Sequence, residues 1–201
     1  MSGHMRLLSE GSEAKIYCHR ILGKSVLFKV RNPKDYRVIE LDEKIRKYRT
    51  RREAKIMLKA GVSGIRAPKL LAAGKFTICM DLLPGKLMKD VRARPAVIAW
   101  VGRLLAELHN VDIVHGDFTP ANVMICNGKP FAIDFGLSEI TVSYEEKAMD
   151  LLLMKRSLNV SQFKHFISGY KKKCSGSSLA IAKLKEIEKR GRYKIRTLAT
   201  G

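Results

Sequence analysis

The sequence predicts an α+β protein with two lobes: a small β-rich lobe that contains one long helix, and a reduced, mainly helical lobe. Three observations predict this fold class. Up to about residue 83, short apolar runs alternate with turns and surround a single helical stretch. After Pro84-Gly85, apolar residues recur at helical spacing. The chain has 201 residues, 46% of them hydrophobic, which is enough to bury a core in two closely joined lobes.

The first lobe is predicted to span residues 5–83. Three strands separated by glycine turns are expected within residues 6–31. Strong helix formers at positions 41–60 predict a long helix that ends at Gly61. Two further strands, interrupted by Gly74, complete the lobe.

The second lobe is predicted to span residues 84–190. Pro95 suits the first turn of a helix that runs to about Asn110. The loop VHGDFTPAN then leads into two short strands, VMIC and FAID, joined by a turn. Three helices are expected after them, at residues 144–155, 160–173 and 179–190.

Both ends of the chain have a distinct character. Residues 1–4 resemble a remnant of an expression vector, so the native start is expected at Met5. Residues 191–201 are predicted to form a basic, irregular tail, because a glycine follows Arg190.

The net charge is the strongest global signal. Lys and Arg number 39 against 19 Asp and Glu, a surplus of 20. A surplus of this size indicates a polyanionic partner, and nucleic acid is favoured over an anionic membrane surface. A thermophilic protein would mix both signs of charge at its surface, which this sequence does not do.

Other global features indicate a cytoplasmic protein. The four cysteines (Cys18, Cys79, Cys126 and Cys174) are scattered and include no C-x-x-C pair, which argues against a zinc site or a disulfide framework. The sequence has neither a leader with a cleavage site nor an apolar run long enough to span a membrane.

Two motifs in the second lobe predict phosphoryl transfer, a reaction that needs metal ligands and a positioned acceptor more than covalent help. In H-G-D-F-T-P-A-N, Asp117 would accept or orient the attacking hydroxyl or water, and His115 would buttress the loop. Asn122 and Asp134, the aspartate of I-D-F-G, would hold Mg²⁺. Each motif alone is common, but their order and spacing are specific to a protein-kinase-like fold.

The first lobe supplies matching candidates for nucleotide binding. Lys29 stands at the end of a strand, where it would grip the phosphates, and Glu53 in the long helix would pair with it. Lys15 competes for the role of the lysine, and Glu40 or Glu43 for that of the carboxylate.

Two further segments would enclose the nucleotide. The glycine-rich motif G-x-G-x-x-G is absent, but the backbone of one turn would still cover the phosphates through Gly11, Ser12, Glu13 and Ala14. Met80 would stand behind the adenine pocket, and the backbone at Asp81 and Leu83 would bond the adenine edge.

The order of these motifs resembles the PRPK family, the small atypical kinase subunit of the KEOPS complex, which works in threonylcarbamoylation of tRNA. The resemblance runs from about residue 9 to 196. It is carried by G-S-E-A-K-I-Y, F-K-V-R, R-T-R-R-E-A, H-G-D-F-T-P-A-N, I-D-F-G-L-S, E-E-K-A-M-D-L and the closing R-G-R.

The resemblance implies cofactors, partners and further residue roles. ATP and Mg²⁺, or Mn²⁺ in its place, are the expected cofactors. The expected partners are a threonylcarbamoyl-transferase subunit, a small helper subunit and tRNA, and partner binding is expected to suppress kinase activity. Asp150 in A-M-D-L would brace the catalytic loop. Contacts with tRNA or a partner would come from basic residues of the long helix and the tail, namely Arg49, Arg51, Arg52, Arg190, Arg192 and Lys194.

Several positions depart from typical protein kinases. Between Asp134 and Asp150 there is no A-P-E motif and hardly room for an activation segment, and Thr119 replaces a common lysine. Both features favour ATP hydrolysis or self-phosphorylation. Gly116 replaces the arginine that receives an activation-loop phosphate, which indicates a kinase without that control. The tail reads R-G-R-Y-K where the family usually has R-G-R-K-R.

Three alternatives remain open at this point. A free-standing RIO-like serine kinase shares the H-G-D and D-F-G arrangement. An aminoglycoside or choline phosphotransferase also carries H-G-D, but has a longer helical lobe and no reason to be this basic. An inactive RNA-binding scaffold is disfavoured, because Lys29, Asp117, Asn122 and Asp134 are all present.

Overall fold

The structure is a computed structural model that describes the backbone of residues 5–199 and the side chains of residues 5–190. The vector remnant predicted at residues 1–4 lies outside this range. The side chains of Arg192 and Lys194 also lie outside it.

The first lobe is built on a five-stranded antiparallel sheet. Its strands are β1 (Arg6–Glu10), β2 (Lys15–Ile21), β3 (Lys24–Val30), β4 (Leu70–Ala73) and β5 (Thr77–Asp81), in the order β1-β2-β3-β5-β4. In the central strand β3, Lys29 pairs with Ile16 on one side and with Ile78 on the other. A residue in that position is held by hydrogen-bonded strands on both sides, so its side chain leaves the sheet from a rigid backbone.

The long helix α1 (Ile39–Val62) buries Ile56 and Met57 in the core and packs on β4 and β5. The sequence predicts that this helix ends at Gly61, but it continues to Val62. The chain turns instead at Gly64, whose positive φ of 70° is a conformation that glycine adopts without steric cost.

In the described residues, the second lobe contains four more α-helices and two small sheets. The helices are α2 (Pro95–Asn110), α3 (Tyr144–Ser157), α4 (Val160–Lys173) and α5 (Ser177–Ala199). One sheet has the strand order β6 (Lys86–Leu87), β8 (Val123–Cys126), β9 (Lys129–Ala132), and the other pairs β7 (Ile113–Val114) with β10 (Glu139–Ile140). Short 3₁₀ turns lie at Met88–Asp90 and Pro120–Asn122.

Helices α2 and α4 approach each other at two glycines. A Cβ atom on Gly102 would lie 2.0 Å from the carbonyl oxygen of Phe166, and one on Gly169 would lie 1.8 Å from that of Ala99. Both distances are far below van der Waals contact. The two backbones therefore touch directly, and only glycine fits at these positions.

The predicted irregular tail is wrong for the backbone up to Ala199, because α5 continues through Gly191. A single helical glycine costs only about 1 kcal/mol relative to alanine. The Lys and Arg residues around it are good helix formers, which explains why the helix goes on.

Hydrogen bonds outside the cleft join the two lobes near β4 and from α1. Near the start of β4, the Ala132 N–H donates to the Arg66 carbonyl (2.9 Å), and Arg66 Nε donates to the Pro130 carbonyl (3.0 Å). From α1, Arg52 Nε donates to the Ser138 carbonyl (2.8 Å). In the part of the chain that the structure describes, none of the helices is long and apolar enough to cross a membrane.

Candidate active site

Asp150 on helix α3 anchors the loop that carries H-G-D. The Asp150 carboxylate is fully buried and accepts hydrogen bonds from the backbone N–H groups of His115 (2.7 Å) and Gly116 (2.9 Å). Two charge-assisted bonds to adjacent amides fix the path of the loop just before Asp117. Asp150 therefore makes the contacts expected of a residue that braces this loop.

A chain of buried polar groups extends this anchor to helix α4. His109 Nε2 lies 3.1 Å from Asp150 Oδ2, and His109 Nδ1 lies 2.8 Å from the Tyr170 hydroxyl. Burial lowers the pKa of His109 below its ordinary value, although Asp150 acts in the opposite direction. The neutral ring thus donates a hydrogen bond from Nε2 to the Asp150 carboxylate and accepts one from the Tyr170 hydroxyl at Nδ1.

His115 is fully buried and supports the loop rather than reaching into the cleft. Its ring packs between Phe118 and Phe135, with centroid distances of 5.4 and 5.3 Å. Its Nε2 donates to the Ile133 carbonyl (3.0 Å), and its own carbonyl accepts from the Ser138 hydroxyl (2.8 Å). These contacts connect the H-G-D loop to both sides of the D-F-G segment.

Gly116 lies where the two segments touch. Its φ is +79°, and a Cβ added there would lie 2.5 Å from the Leu137 carbonyl oxygen. The position thus excludes arginine and every other residue with a side chain, for steric reasons that the motif alone did not reveal.

Asp117 is oriented by the amide of Asn122. Asn122 Nδ2 donates to Asp117 Oδ2 (2.7 Å) and to the Asp117 carbonyl (2.9 Å). Because the Asn122 amide nitrogen faces Asp117, the amide oxygen of Asn122 is available to bind another group. The five-residue spacing of the motif is what brings these two side chains together around the 3₁₀ turn.

Lys29 connects the two lobes across the cleft. Its Nζ lies 2.8 Å from Glu53 Oε1 and 2.7 Å from Asp134 Oδ1. Partial burial raises the pKa of Asp134, but the charge and hydrogen bond of Lys29 outweigh this effect, and the pKa of the carboxyl group lies below its ordinary value. Asp134 is therefore ionised and, with φ of +60°, held in a conformation that is uncommon for a non-glycine residue.

The alternative candidates for the lysine and the carboxylate lie away from the cleft. Lys15 pairs with Glu10 (2.8 Å) at the edge of the sheet, and Glu43 pairs with Lys75 on the surface of the first lobe. Glu40 is exposed in the first turn of α1.

Sequence reasoning missed Arg31, two residues after Lys29. Its guanidinium is buried, with Nη2 2.5 Å from Glu53 Oε2 and Nη1 3.4 Å from the Thr50 hydroxyl. Its position in the F-K-V-R string was the available signal: alternate residues of a strand point to the same face, so Arg31 follows Lys29 toward Glu53.

The turn Gly11–Ala14 covers a cavity of about 340 Å³ in which Lys29, Arg31, Asp117 and Asp134 also line the wall. The Gly11 N–H donates to the Ala14 carbonyl (3.0 Å), which closes the turn. Two cations hold its outer side: Lys34 contacts the Ser12 carbonyl and Arg49 contacts the Glu13 carboxylate. The predicted covering segment thus lies over the acidic and basic groups of the cleft.

A second cavity, of about 450 Å³, continues inward from Lys29. Leu27, Met80, Leu83, Met124 and Ile133 are among the apolar residues that line it, which suits a flat aromatic base. The Asp81 N–H already donates to the Lys69 carbonyl (3.1 Å). An adenine edge would therefore use the Asp81 carbonyl and the Leu83 N–H, which refines the predicted contacts.

The groups in the cleft fit a magnesium ion bound with nucleotide. Asp134 offers an ionised, half-exposed carboxylate, and Asn122 offers its amide oxygen. Oxygen ligands of this kind suit Mg²⁺, which usually takes one or two protein groups and completes its shell with phosphates and water. Among the described residues, no cluster of three His, Cys, Asp or Glu side chains forms a self-sufficient metal site.

The basic residues assigned to tRNA or partners differ in their surroundings. Arg49 contacts Glu13 of the covering turn, and Arg52 donates to Ser138 of the D-F-G segment, so both have internal roles. Arg51 lies on the exposed side of α1. Arg190 is exposed and pairs with Glu145 (3.0 Å) and Glu186 (3.7 Å).

Comparison with known proteins identifies related chains. A family model described as RIO domain matches residues 24–173. The KEOPS complex subunit Bud32 of Pyrococcus abyssi is 34% identical over 98% of this chain and 100% of that protein. A probable serine/threonine-protein kinase BUD32 homolog of Archaeoglobus fulgidus is 38% identical over 91% of this chain and 94% of its own length.

Other relatives are longer. A probable bifunctional tRNA threonylcarbamoyladenosine biosynthesis protein of Methanobrevibacter smithii is 38% identical over 93% of this chain, which spans only 36% of that protein. Among solved structures, the Rio2 kinase from Chaetomium thermophilum, in an ADP/Mg²⁺-phosphoaspartate complex, aligns with a TM-score of 0.65 at 16% identity. That alignment covers 96% of this chain and 72% of the other, and it confirms the two-lobed kinase-like fold.

Proposed function

The chain belongs to the RIO-domain family of atypical kinases, in the Bud32 group, and on that premise we propose that it binds Mg-ATP and transfers or hydrolyses its γ-phosphate as the kinase subunit of a KEOPS-type complex. The complex would serve the threonylcarbamoyladenosine modification of tRNA, as the names of several relatives indicate for those proteins.

The observation that carries this proposal is the meeting of five side chains in one cleft. Lys29 bridges Glu53 and Asp134, and Asn122 orients Asp117 beneath the same cavity. Lys29 would bind the phosphates, and Asn122 and Asp134 would hold the metal, Mg²⁺ or Mn²⁺. The bound metal would supply charge neutralisation on the phosphates. Asp117 would orient the hydroxyl or water that attacks.

The shape of the second lobe supports hydrolysis or self-phosphorylation over phosphorylation of peptides. From Asp134 the chain passes through β10 and enters α3 at Tyr144. No A-P-E motif lies between them. In other protein kinases an activation segment there forms the platform on which a peptide lies, so this chain is better suited to ATP hydrolysis or to phosphorylation of its own hydroxyl groups.

The charge of the chain supports the tRNA part of the proposal. A surplus of 20 positive charges favours a polyanion, since each phosphate that is neutralised releases counterions. Arg51 on α1 and the basic end of α5, with Arg190, Arg192 and Lys194, are the proposed contacts with tRNA or with the transferase and helper subunits.

The test is ATP turnover by the purified chain, with and without tRNA and partner subunits. Asp134→Ala should lower turnover by about 100-fold or more, since the loss of a metal ligand removes several kcal/mol of transition-state stabilisation. Asp90→Ala, a change at an exposed aspartate, is the matched control and should leave turnover unchanged.

Three outcomes would contradict the proposal. If Asp134→Ala supports tRNA modification as well as the parent chain, catalysis is not the contribution of this subunit. Brisk phosphorylation of an aminated small molecule would instead favour a small-molecule phosphotransferase. Phosphorylation of protein substrates at full rate without any partner would favour a free-standing serine kinase.

A further inference from the structure

Arg31 occupies a costly position in the first lobe. The residue is only 3% exposed, and its Nε is buried without an acceptor in the described part of the chain. An unsatisfied buried donor costs about 1–3 kcal/mol, and a buried ion pair is often no more stabilising than apolar residues of the same volume. Stability alone therefore does not explain an arginine here.

The charges around Arg31 suggest what it does. Glu53 is 1% exposed and bonds two cations at once, Lys29 through Oε1 (2.8 Å) and Arg31 through Oε2 (2.5 Å). Lys29 in turn also bonds Asp134 (2.7 Å). The four groups form a line of alternating charges with no net charge.

Lys29 has a second task in the proposed reaction, because it must reach the phosphates of the nucleotide. If Glu53 had Lys29 as its sole partner, each shift of Lys29 toward the phosphates would leave a buried carboxylate uncompensated, which is strongly unfavourable. Arg31 removes this conflict, since it remains paired with Glu53 when Lys29 moves toward the phosphates.

We propose that Arg31 is a positioning residue that neutralises Glu53 and so frees Lys29 to bind nucleotide phosphates. The inference rests on the proposed nucleotide-binding function and adds a residue to it. Arg31 also lines the cavity beneath the turn Gly11–Ala14, and its Nη2 lies 3.7 Å from where a Cβ on Gly136 would be.

The test compares Mg-ATP binding by calorimetry and turnover for Arg31→Gln and Arg31→Lys. Arg31→Gln should raise the Kd for Mg-ATP by about tenfold or more, the size expected for the loss of a charge-assisted hydrogen bond. The turnover rate at saturating Mg-ATP should change far less, because Lys29, Asp117 and Asp134 remain. Arg31→Lys keeps the charge and should recover most of the affinity.

A double-mutant cycle separates this role from a merely structural one. In a Glu53→Gln background there is no carboxylate to neutralise, so adding Arg31→Gln should change the Kd by less than about twofold. A loosened α1 helix would instead weaken binding by the same factor in both backgrounds. Arg20→Gln, at an exposed arginine of β2, is the matched control for the substitution itself, and thermal unfolding of every variant reports on folding.

The outcomes are distinguishable. If the parent chain binds no Mg-ATP, the proposed function fails and this inference with it. If the parent binds Mg-ATP and Arg31→Gln binds it equally well, only the role of Arg31 is overturned. An equal loss of affinity in both backgrounds overturns it as well.

Discussion

Gly116 shows at the scale of one residue how the structure changes the meaning of a motif. From the sequence, a glycine before Asp117 indicates that no activation-loop phosphate needs an arginine there. The structure adds that a side chain cannot fit, because the Leu137 carbonyl oxygen lies 2.5 Å from the Cβ position. The missing arginine and the short connection to α3 therefore depend on each other: the close path of the D-F-G segment requires the glycine.

This contact predicts a specific effect of Gly116→Ala. The free energy of unfolding should be lower in this variant, and most of its ATP turnover should be lost. The reason is that Leu137 must move and that Asp117 follows directly after the displaced residue. Gly128→Ala is the matched control, since Gly128 also has a positive φ (75°) but meets no atom within 4 Å. The control should cost about 1–2 kcal/mol through its backbone conformation alone. Gly116→Ala should cost about 1–3 kcal/mol more. If chemical denaturation shows the same loss of unfolding free energy in both variants, and Gly116→Ala keeps its turnover, the steric explanation for Gly116 is wrong.

His109 predicts how stability depends on pH. Burial lowers its pKa in the folded chain, whereas in the unfolded chain it titrates near 6.5. Below pH 6.5 the unfolded state therefore binds a proton that the folded state does not, and stability falls as the pH falls. Denaturant unfolding at pH 7.5 and 5.5 should show this loss in the parent chain and a smaller loss in His109→Gln. His165→Gln, at an exposed histidine, should retain the full dependence. An identical pH dependence in parent and His109→Gln would rule out this origin.

At the scale of elements, helix α1 combines several tasks on different faces. Glu53 faces the cleft, Arg49 and Arg52 hold the covering turn and the D-F-G segment, and Arg51 faces outward. The sequence predicted the helix and Glu53 from composition and motif. It could not separate the three arginines by role, because their roles depend on segments far away in the chain.

This division predicts different effects of neighbouring substitutions. Arg51→Ala should weaken tRNA binding and reduce the slope of log affinity against log salt concentration by about 1, the effect of losing one phosphate contact. Its ATP turnover should match that of the parent. Arg52→Ala should lower turnover, because it loses the bond to Ser138. Filter-binding titrations across salt concentrations give the slopes, and an affinity that does not respond to salt would remove the proposed electrostatic contact.

Other elements show where sequence reasoning stops. The long helices and the paired strands have enough residues for periodicity to predict them. The strands β6, β7 and β10 have two residues each, too few to show alternation, and their pairing depends on tertiary contacts. Arg31 could not be assigned either, because a buried arginine two residues after Lys29 becomes meaningful only once Glu53 is seen to bond both.

At the scale of the whole molecule, the glycine contact between α2 and α4 supports the active site from a distance. Tyr170 on α4 bonds His109 on α2, and His109 bonds Asp150, which anchors the H-G-D loop. The close approach of the two helices at Gly102 and Gly169 makes that chain of bonds short enough to form.

Gly169→Ala should therefore destabilise the whole chain. Its Cβ would lie 1.8 Å from the Ala99 carbonyl oxygen, so the helices must separate, at a cost of about 3 kcal/mol. This corresponds to a fall in Tm of roughly 10 °C for a domain of this size. Gly61→Ala is the matched control in an open part of α1 and should stabilise the chain by up to about 1 kcal/mol. If calorimetry gave Gly169→Ala a higher Tm than Gly61→Ala, the close contact between α2 and α4 would be disproved.

The hydrogen bonds that join the lobes also bear on how a spent nucleotide leaves. Arg66 and Arg52 join the lobes in addition to the Lys29–Asp134 pair, so the cleft cannot widen by rotation of one lobe against the other unless these bonds break. The covering turn is held by contacts of exposed groups, Lys34 with Ser12 and Arg49 with Glu13. Product is therefore expected to depart by lifting of this turn. Since dissolved salt weakens exposed ion pairs, the rate of ADP departure should rise with ionic strength.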